Sequence, residues 1–354
     1  MLADEGVFSV DDETYCWRDV LLAAAECGDW RAAEARTRHG AACVRHAQTT
    51  ADVLPPGALE IAGREFRYAR DLITAASMED WLARWGLAAK AWTGSLRREL
   101  NAARWPGSEA LVHRYAIDAG EAARLTLIDA ICDGDLERWA RSLALRAAAA
   151  ADVRDQQPAD DQERPADAPL SETLRLALEA LGADAHGIEE SSRRARRLDA
   201  AFSRFRDKHV TARAVDDLVK LRRLEWVRFD CQAMLFPDRD MAAEAALLLS
   251  EDGEEFTTVY RAAHAAPRAA SFYFDALVES VRDRFLAART GDLVGPVREG
   301  DEYALYLIQD KLLPDSRDPE VHRRAEEEVL QHALEQQLDR RVRWHTVSPA
   351  AVAR

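Results

Sequence analysis

The sequence predicts a mainly α-helical protein with a small α+β domain in its last third and one long helix near its C-terminal end. Two observations support this fold class. From Asp11 to Ala151, apolar residues recur at helical spacing among many alanine, leucine and arginine residues, without sustained alternation of apolar and polar positions. After Trp226, by contrast, the segment VRFDCQAMLF alternates in the manner of a half-buried strand.

Changes in composition divide the 354 residues into five predicted parts. The segment ADVRDQQPADDQERPADAP carries three prolines and many acidic residues but no aromatic residue, which is typical of a solvated linker. Helical spacing resumes after it and gives way to alternation near Trp226. The parts are a helical N-terminal domain, an acidic linker, a helical hairpin region, an α+β domain and a C-terminal helix that packs on the helical domain: residues 1–151, 152–169, 170–224, 225–314 and 315–346.

Strand and turn signals predict the layout of the α+β domain. The buried face of the first strand is predicted to carry the alternate residues Phe229, Cys231, Ala233 and Leu235, with Pro237 ending the strand. One helix is predicted to end at Asp252-Gly253, and a second to run from Phe274 to Ala288. The segments DLVGPV and EYALYLIQDK then form two strands around a turn at Gly300.

Capping signals predict where individual helices begin and end. Ser77 is the predicted N-cap of a helix with Trp81, Leu82 and Trp85 on one face, and Gly86 ends that helix. Asp318 followed by Pro319 predicts the start of the last helix. Its apolar stripe, which needs a partner surface, comprises Ala325, Val329, Leu330, Ala333, Leu334, Leu338 and Val342.

Composition and charge argue against several classes of function. A net charge of −15 disfavours nucleic acid as a partner, because phosphate binding needs a surplus of lysine and arginine. No run of 18 apolar residues occurs and the N-terminal segment is acidic, so we expect a cytoplasmic protein without a membrane partner. The scattered cysteines and histidines lack ligand spacing, which predicts no metal site and no disulfide framework. No cofactor-binding motif is present, so no cofactor is expected.

The stretch from Trp226 to Lys311 resembles the parvulin-type prolyl isomerases of the bacterial periplasmic chaperone kind. The order of elements agrees, and the most specific match is LAARTGDLVGPVREGDEYALYLIQDK. Family members have a Gly-x-x-x-Gly-Pro-Val element at this position, before their final strand. The resemblance implies that the α+β domain is parvulin-like and that the flanking helices are chaperone-like helical parts.

Two residues depart from the pattern of the active family. The histidine of the family's first strand falls at Ala233 and that of its last strand at Ala304. These histidines belong to a hydrogen-bonded network that favours the twisted prolyl amide, and alanine can neither donate nor accept. The resemblance therefore predicts a domain without isomerase activity that still binds a peptide on its concave sheet. The candidate binding residues, for which ordinary core packing is the alternative, are Met234, Phe236, Phe272, Phe274, Tyr303 and Tyr306.

The whole layout is similar to that of isomerase-related proteins that accompany the biosynthesis of ribosomally made, modified peptides such as lanthipeptides. This similarity implies a maturation factor that binds a precursor peptide, with a modifying kinase or lyase as further partners. Two alternatives stay open: a general cytoplasmic chaperone, and a metal-independent cyclase that adds cysteine thiols to dehydrated serine or threonine. The acid–base candidates for such a cyclase are His264, Tyr273, Asp275, Tyr303 and Tyr306.

Overall fold

The computed structural model describes residues 2–154, 170–250, 256, 258–259 and 267–345. The chain forms two compact units, the first comprising residues 1–207 and 333–354 and the second residues 208–332. Helices account for most of the described residues, and each unit carries one small antiparallel sheet. The predicted fold class, mainly α with a small α+β domain, is therefore confirmed. Most of the predicted linker and the predicted helix end at Gly253 lie outside the described residues.

Helices α1 to α10 make up the bulk of the first unit. Their bounds are Trp17–Glu26, Asp29–Thr50, Ala58–Ala69, Ala75–Arg84, Ala89–Arg104, Glu109–Arg114, Ala119–Cys132, Asp135–Arg154, Glu172–Ala180 and Ala185–His209. Residues 152–154, assigned to the linker from the sequence, thus belong to α8. In α4 the N-cap is Thr74, whose hydroxyl accepts from the backbone N–H of Ser77 at 3.0 Å. The predicted cap at Ser77 was three residues late, whereas Gly86 does follow the end of the helix, with a φ of 61°.

A three-stranded sheet in the first unit was missed by the sequence analysis. It has the order β2-β1-β7, where β1 is Gly6–Val10, β2 is Glu13–Cys16 and β7 is Val342–Trp344. Phe8 stacks on Tyr15 with ring centroids 4.9 Å apart, and its ring also contacts that of Trp344 at 5.3 Å. The strands are too short for a clear alternating pattern, and the third strand comes from the distant end of the sequence.

A buried polar network joins three helices of the first unit. The carboxylate of Asp129 in α7 accepts hydrogen bonds from Thr37 of α2 at 2.8 Å and from Ser95 of α5 at 2.7 Å. It also accepts from the guanidinium of Arg98, whose Nε lies 3.0 Å from Oδ2. Gly40 permits this close packing, since a Cβ at that position would lie 3.0 Å from the Cβ of Arg98. Each buried charge in the network therefore has its partner.

The second unit contains a four-stranded antiparallel sheet in the order β4-β3-β6-β5. Its strands are β3 (Arg228–Phe236), β4 (Arg268–Tyr273), β5 (Leu293–Glu299) and β6 (Glu302–Leu312). Helices of this unit are α11 (Ala212–Leu221), α12 (Arg239–Ser250), α13 (Glu279–Ala287) and the first part of α14 (Pro319–Arg341), with a short 3₁₀ helix at Phe274–Ala276. The predicted strands β3, β5 and β6 and the turn at Gly300 are confirmed, whereas β4 was missed.

The error around β4 has a local cause. The predicted helix from Phe274 to Ala288 begins only at Glu279, because the residues before it form the end of β4 and the 3₁₀ helix. Aromatic residues such as Phe272 favour strands, but three aromatics in a row hide the alternation that would identify one.

Both faces of the sheet in the second unit are covered by apolar side chains. The aromatic face, as we name it, carries Phe229, Phe272 and Tyr306, with Phe285 of α13 packed against them. The opposite face, the α12 face, carries Met234, Phe236 and Leu305 against Ala242 and Ala245 of α12. Met234, a predicted peptide-binding residue, is therefore fully buried. The side chains of β3 do alternate between the two faces of the sheet, but each face packs into an apolar cluster of its own.

The last helix begins where the sequence predicted. Asp318 caps α14 by accepting hydrogen bonds from the backbone N–H groups of Glu320 at 2.8 Å and Val321 at 3.3 Å. Ala325 lies in an apolar cluster of the second unit, and Leu338 in the main apolar cluster of the first. No helix in the described ranges is both long and apolar enough to cross a bilayer.

We predict that Asp129→Ala lowers the free energy of unfolding of the first unit by about 3 kcal/mol, because Arg98 is left charged, buried and unpaired. Urea unfolding followed by tryptophan fluorescence reports mainly on this unit, since every tryptophan except Trp226 belongs to it. The control is Glu179→Ala, which removes a half-exposed ion pair with Arg175 and should cost less than about 0.5 kcal/mol. Equal losses in the two variants would contradict a special role for the network.

Candidate functional site

The candidate site is the part of the aromatic face around Ala233 and Ala304. Ala233 lies opposite Tyr306 of β6 and Arg268 of β4, so the three side chains form a row across three strands. Ala304 lies opposite Leu235 of β3 and, on its other side, Val297 of β5. Neither alanine is exposed to solvent. The register thus brings together on one face the two positions at which the resembling family carries histidine.

Four aromatic rings pack against one another in this site. Phe285 of α13 contacts Phe272 edge-to-face with centroids 5.3 Å apart, and it contacts Tyr306 at 5.5 Å. Phe272 and Tyr306 also meet edge-to-face at 5.5 Å, and Phe229 contacts Phe285 at 5.4 Å. Such arrangements place the positive edge of one ring against the negative face of another, in addition to the burial of apolar area. The methyl groups of the alanines therefore lie within a packed apolar cluster.

Hydrogen bonds that the sequence analysis missed connect side chains of β6, β5 and β4 next to Ala233. The hydroxyl of Tyr306 donates to Oε1 of Glu299, and the guanidinium of Arg268 donates to Oε2 of the same carboxylate at 2.5 Å. Arg268 and Glu299 are partly exposed, so their ion pair contributes little to stability. The sequence suggested only a turn at Glu299, and Arg268 lay outside any predicted strand. No signal in the sequence pairs residues of strands as far apart as β4 and β5.

The six predicted peptide-binding residues separate onto two faces. Met234 and Phe236 are buried on the α12 face, where Tyr303 packs partly buried beside them. Phe272, Phe274 and Tyr306 lie on the aromatic face. Because a sheet separates the two sets, they cannot line a single groove. The apolar groups packed on the aromatic face that remain partly exposed are Leu235, Ala270, Phe272, Phe274 and Leu277.

The predicted acid–base residues do not converge either. Tyr273 and Asp275 lie at the far end of β4, where Arg324 forms an ion pair with Asp275 and stacks 4.8 Å from the ring centroid of Tyr273. Burial, and secondarily the carboxylate of Glu320, raises the pKa of Tyr273. Tyr303 and Tyr306 occupy opposite faces of the sheet. His264 lies outside the described residues.

The thiol nearest to the site is inert. Cys231 precedes Ala233 by two positions in β3 and is buried on the aromatic face. Burial raises the pKa of Cys231 to about 12, and the neighbouring Asp230 carboxylate adds to the shift. At neutral pH the group is therefore a thiol, which is a poor nucleophile. Among the described residues, no His, Cys, Asp and Glu side chains group as metal ligands.

The two edge strands of the four-stranded sheet, β4 and β5, differ in how readily they can pair with a further strand. At the β5 edge, Pro296 has no N–H to donate, and the guanidinium of Arg284 donates to the carbonyl of Gly295. At the β4 edge, Ala269 and Ser271 are exposed and pair with β3 on one side only. One edge is thus closed to a further strand, while the other presents exposed backbone.

Comparisons with known proteins give a limited result. No family model and no curated protein sequence matches the chain. Among solved structures, the peptidylprolyl isomerase PrsA from Bacillus cereus is similar at 15% identity and a TM-score of 0.32, over 63% of this chain and 91% of that one. PrsA from Bacillus subtilis is similar at 13% identity and a TM-score of 0.21, over 60% of this chain and 86% of that one. TM-scores this low support no conclusion about activity.

We predict that Cys231 resists alkylation in the folded protein. With a pKa of about 12, only roughly one molecule in ten thousand carries the thiolate at pH 8, and the reactive fraction grows as the pH rises towards the pKa. Iodoacetamide labelling at pH 8 with peptide mapping by mass spectrometry measures this. Cys27, which is exposed, serves as the internal control and should be labelled first. Labelling of Cys231 at the rate of Cys27 in the native protein would contradict the burial described above.

Proposed function

We propose that this chain is a non-catalytic, cytoplasmic maturation factor that binds the precursor of a ribosomally made, modified peptide. The observation that carries the proposal is that alanines, Ala233 and Ala304, occupy two buried positions of the candidate site. The two alanines lie diagonally across β3 and β6 on one face of the sheet, without exposure and within a cluster that contains aromatic rings. A site that lacks both imidazoles keeps a surface for a polypeptide and loses the groups that act on it.

The chemistry of prolyl isomerisation supports the absence of catalysis. An enzyme accelerates rotation of the amide by binding the twisted form better than the planar form, which requires hydrogen-bonding groups at fixed positions. Methyl groups at Ala233 and Ala304 supply none. The nearest hydroxyl, that of Tyr306, already donates to Glu299.

Partly exposed apolar groups and free backbone support peptide binding. Leu235, Ala270 and Phe272 offer an apolar strip, and no strand of the described residues pairs with the outer edge of β4. Peptide-recognition sites commonly combine such a strip with backbone hydrogen bonds. A modifying kinase or lyase is a further proposed partner, since a factor without catalytic groups requires other proteins to alter the peptide.

No specific observation favours the cyclase alternative. Addition of a thiol to a dehydrated residue needs a base and an acid near the same substrate. Tyr303, Tyr306 and the Tyr273–Asp275 pair lie at three separate places. The general chaperone alternative differs from the proposal in selectivity and is separated from it by the experiment below.

The test is a titration of the purified chain with a labelled short peptide rich in cysteine, serine and threonine, the composition expected of such a precursor, followed by fluorescence anisotropy. The proposal predicts saturable binding of that peptide and weaker binding of a scrambled peptide with the same composition. Equal binding of both peptides would support the general chaperone instead. The absence of saturable binding would refute the proposal.

We further predict that the double variant Ala233→His and Ala304→His gains no isomerase activity. Both positions are fully buried beside Phe272 and Tyr306, so the added rings overfill the cluster and lower the free energy of unfolding by about 1–3 kcal/mol. A protease-coupled prolyl peptide assay and urea unfolding followed by circular dichroism measure the two effects. Ala269→His, at an exposed position of β4, is the matched control and should change neither. Isomerase activity in the unaltered chain would contradict this account of the site.

A further inference from the structure

The hydrogen-bonding direction of β4 follows from one backbone contact. Just beyond its last residue, the N–H of Phe274 donates to the carbonyl of Val227 at 2.8 Å. In an antiparallel pair, residues that bond to the partner alternate with residues that point away from it. The register of β4 on β3 has no irregularity. Ala269, Ser271 and Tyr273 therefore direct their N–H and C=O groups away from β3.

The outward groups of Ala269 and Ser271 lie on exposed residues, whereas Tyr273 is partly buried against an apolar cluster that includes Trp226 and Val321. Nothing in the described part of the chain forms a strand on that side of β4. Ala269 and Ser271 have small side chains, and the hydroxyl of Ser271 is turned to Asp230, to which it donates at 2.6 Å. Arg268, the charged residue of the strand, is held by Glu299. Within Arg268–Tyr273 the strand has no proline and no bulge, the devices by which proteins usually prevent strand addition, and Pro267 directly before it limits how far an added strand can extend.

A guanidinium lies beyond the far end of β4. Arg282 of α13 lies 6.0 Å from the ring centroid of Phe274, and its guanidinium donates to the backbone carbonyls of Leu277 at 2.9 Å and Asp275 at 3.2 Å. No carboxylate among the described residues forms an ion pair with it. The carboxylate of Asp275 is neutralised by Arg324, and that of Glu320 lies by the hydroxyl of Tyr273. An acidic side chain is the complement of the Arg282 guanidinium.

We propose that the outer edge of β4 binds an extended peptide segment as an added strand, with an acidic side chain of that segment next to Arg282. The inference rests on the proposed peptide-binding function and names the class of peptide. Main-chain hydrogen bonds to Ala269, Ser271 and Tyr273 supply affinity with little dependence on sequence. The guanidinium sets the direction of the bound segment through its charge.

The experiment uses the full chain and a fluorescein-labelled, short peptide of alternating threonine and valine with two glutamates at one end. Three further peptides serve for comparison: the same peptide with lysines in place of glutamates, the same peptide N-methylated at alternate backbone nitrogens, and a scrambled one with a proline at its centre. Anisotropy at low and at physiological salt gives the affinities. We expect the glutamate peptide to bind at least tenfold more tightly than each of the others.

Variants locate the binding to the edge. Ala269→Pro removes one outward N–H without touching a side-chain contact and should weaken binding at least tenfold, whereas Ala269→Ser keeps the N–H and should bind as the unaltered chain does. Circular dichroism confirms that both variants are folded. Arg282→Gln should abolish the preference for glutamate over lysine.

Three outcomes overturn the inference. Equal binding by Ala269→Pro and the unaltered chain places the peptide elsewhere and leaves the proposed peptide-binding function intact. Absence of binding of any of these probe peptides, together with saturable binding of the peptide rich in cysteine, serine and threonine, also refutes only the edge site. Dimers of the chain in sedimentation experiments that are lost in Ala269→Pro would show that a second copy occupies the edge instead.

Discussion

Packing among Phe229, Phe272, Phe285 and Tyr306 determines what the small sheet of the second unit can do. These rings come from β3, β4, α13 and β6, so their contacts join four elements of that face. Protein interiors of this kind are close-packed. Because the two alanines of the site lie inside the cluster, they are part of a hydrophobic core.

With alanines at both positions on the aromatic face, the edge strands β4 and β5 are the remaining places where the sheet can form hydrogen bonds with a ligand. A sheet whose faces are both covered can still offer hydrogen bonds along an unpaired strand. In this unit the β5 edge is closed by a proline and by the guanidinium of Arg284. The β4 edge carries small side chains and, near its end, the guanidinium of Arg282, with which no carboxylate of the described residues forms an ion pair. Affinity from the backbone and selectivity from charge together suit a ligand that is an extended, acidic chain.

The core of the first unit contains a buried carboxylate whose charge is paired. Asp129 is satisfied by a hydroxyl from α2 and by a hydroxyl and a guanidinium from α5, so the network joins three helices at one point. The short sheet adds a second connection, because β7, from the end of the described chain, pairs with β1 near its start. These contacts join parts of the chain that are distant in sequence.

The sequence alone determined the features that depend on neighbouring residues. Helical spacing, the Asp318–Pro319 helix start, the alternation along β3 and the turn at Gly300 were all predictable, because each depends on backbone preferences and burial within a few residues. The absence of imidazoles at Ala233 and Ala304 was likewise visible from the residue types. Tertiary structure decided everything that depends on register and on partners distant in sequence. It separated the candidate residues onto two faces, joined Arg268, Glu299 and Tyr306, and paired β7 with β1, because strand pairing brings together residues whose separation in sequence carries no signal.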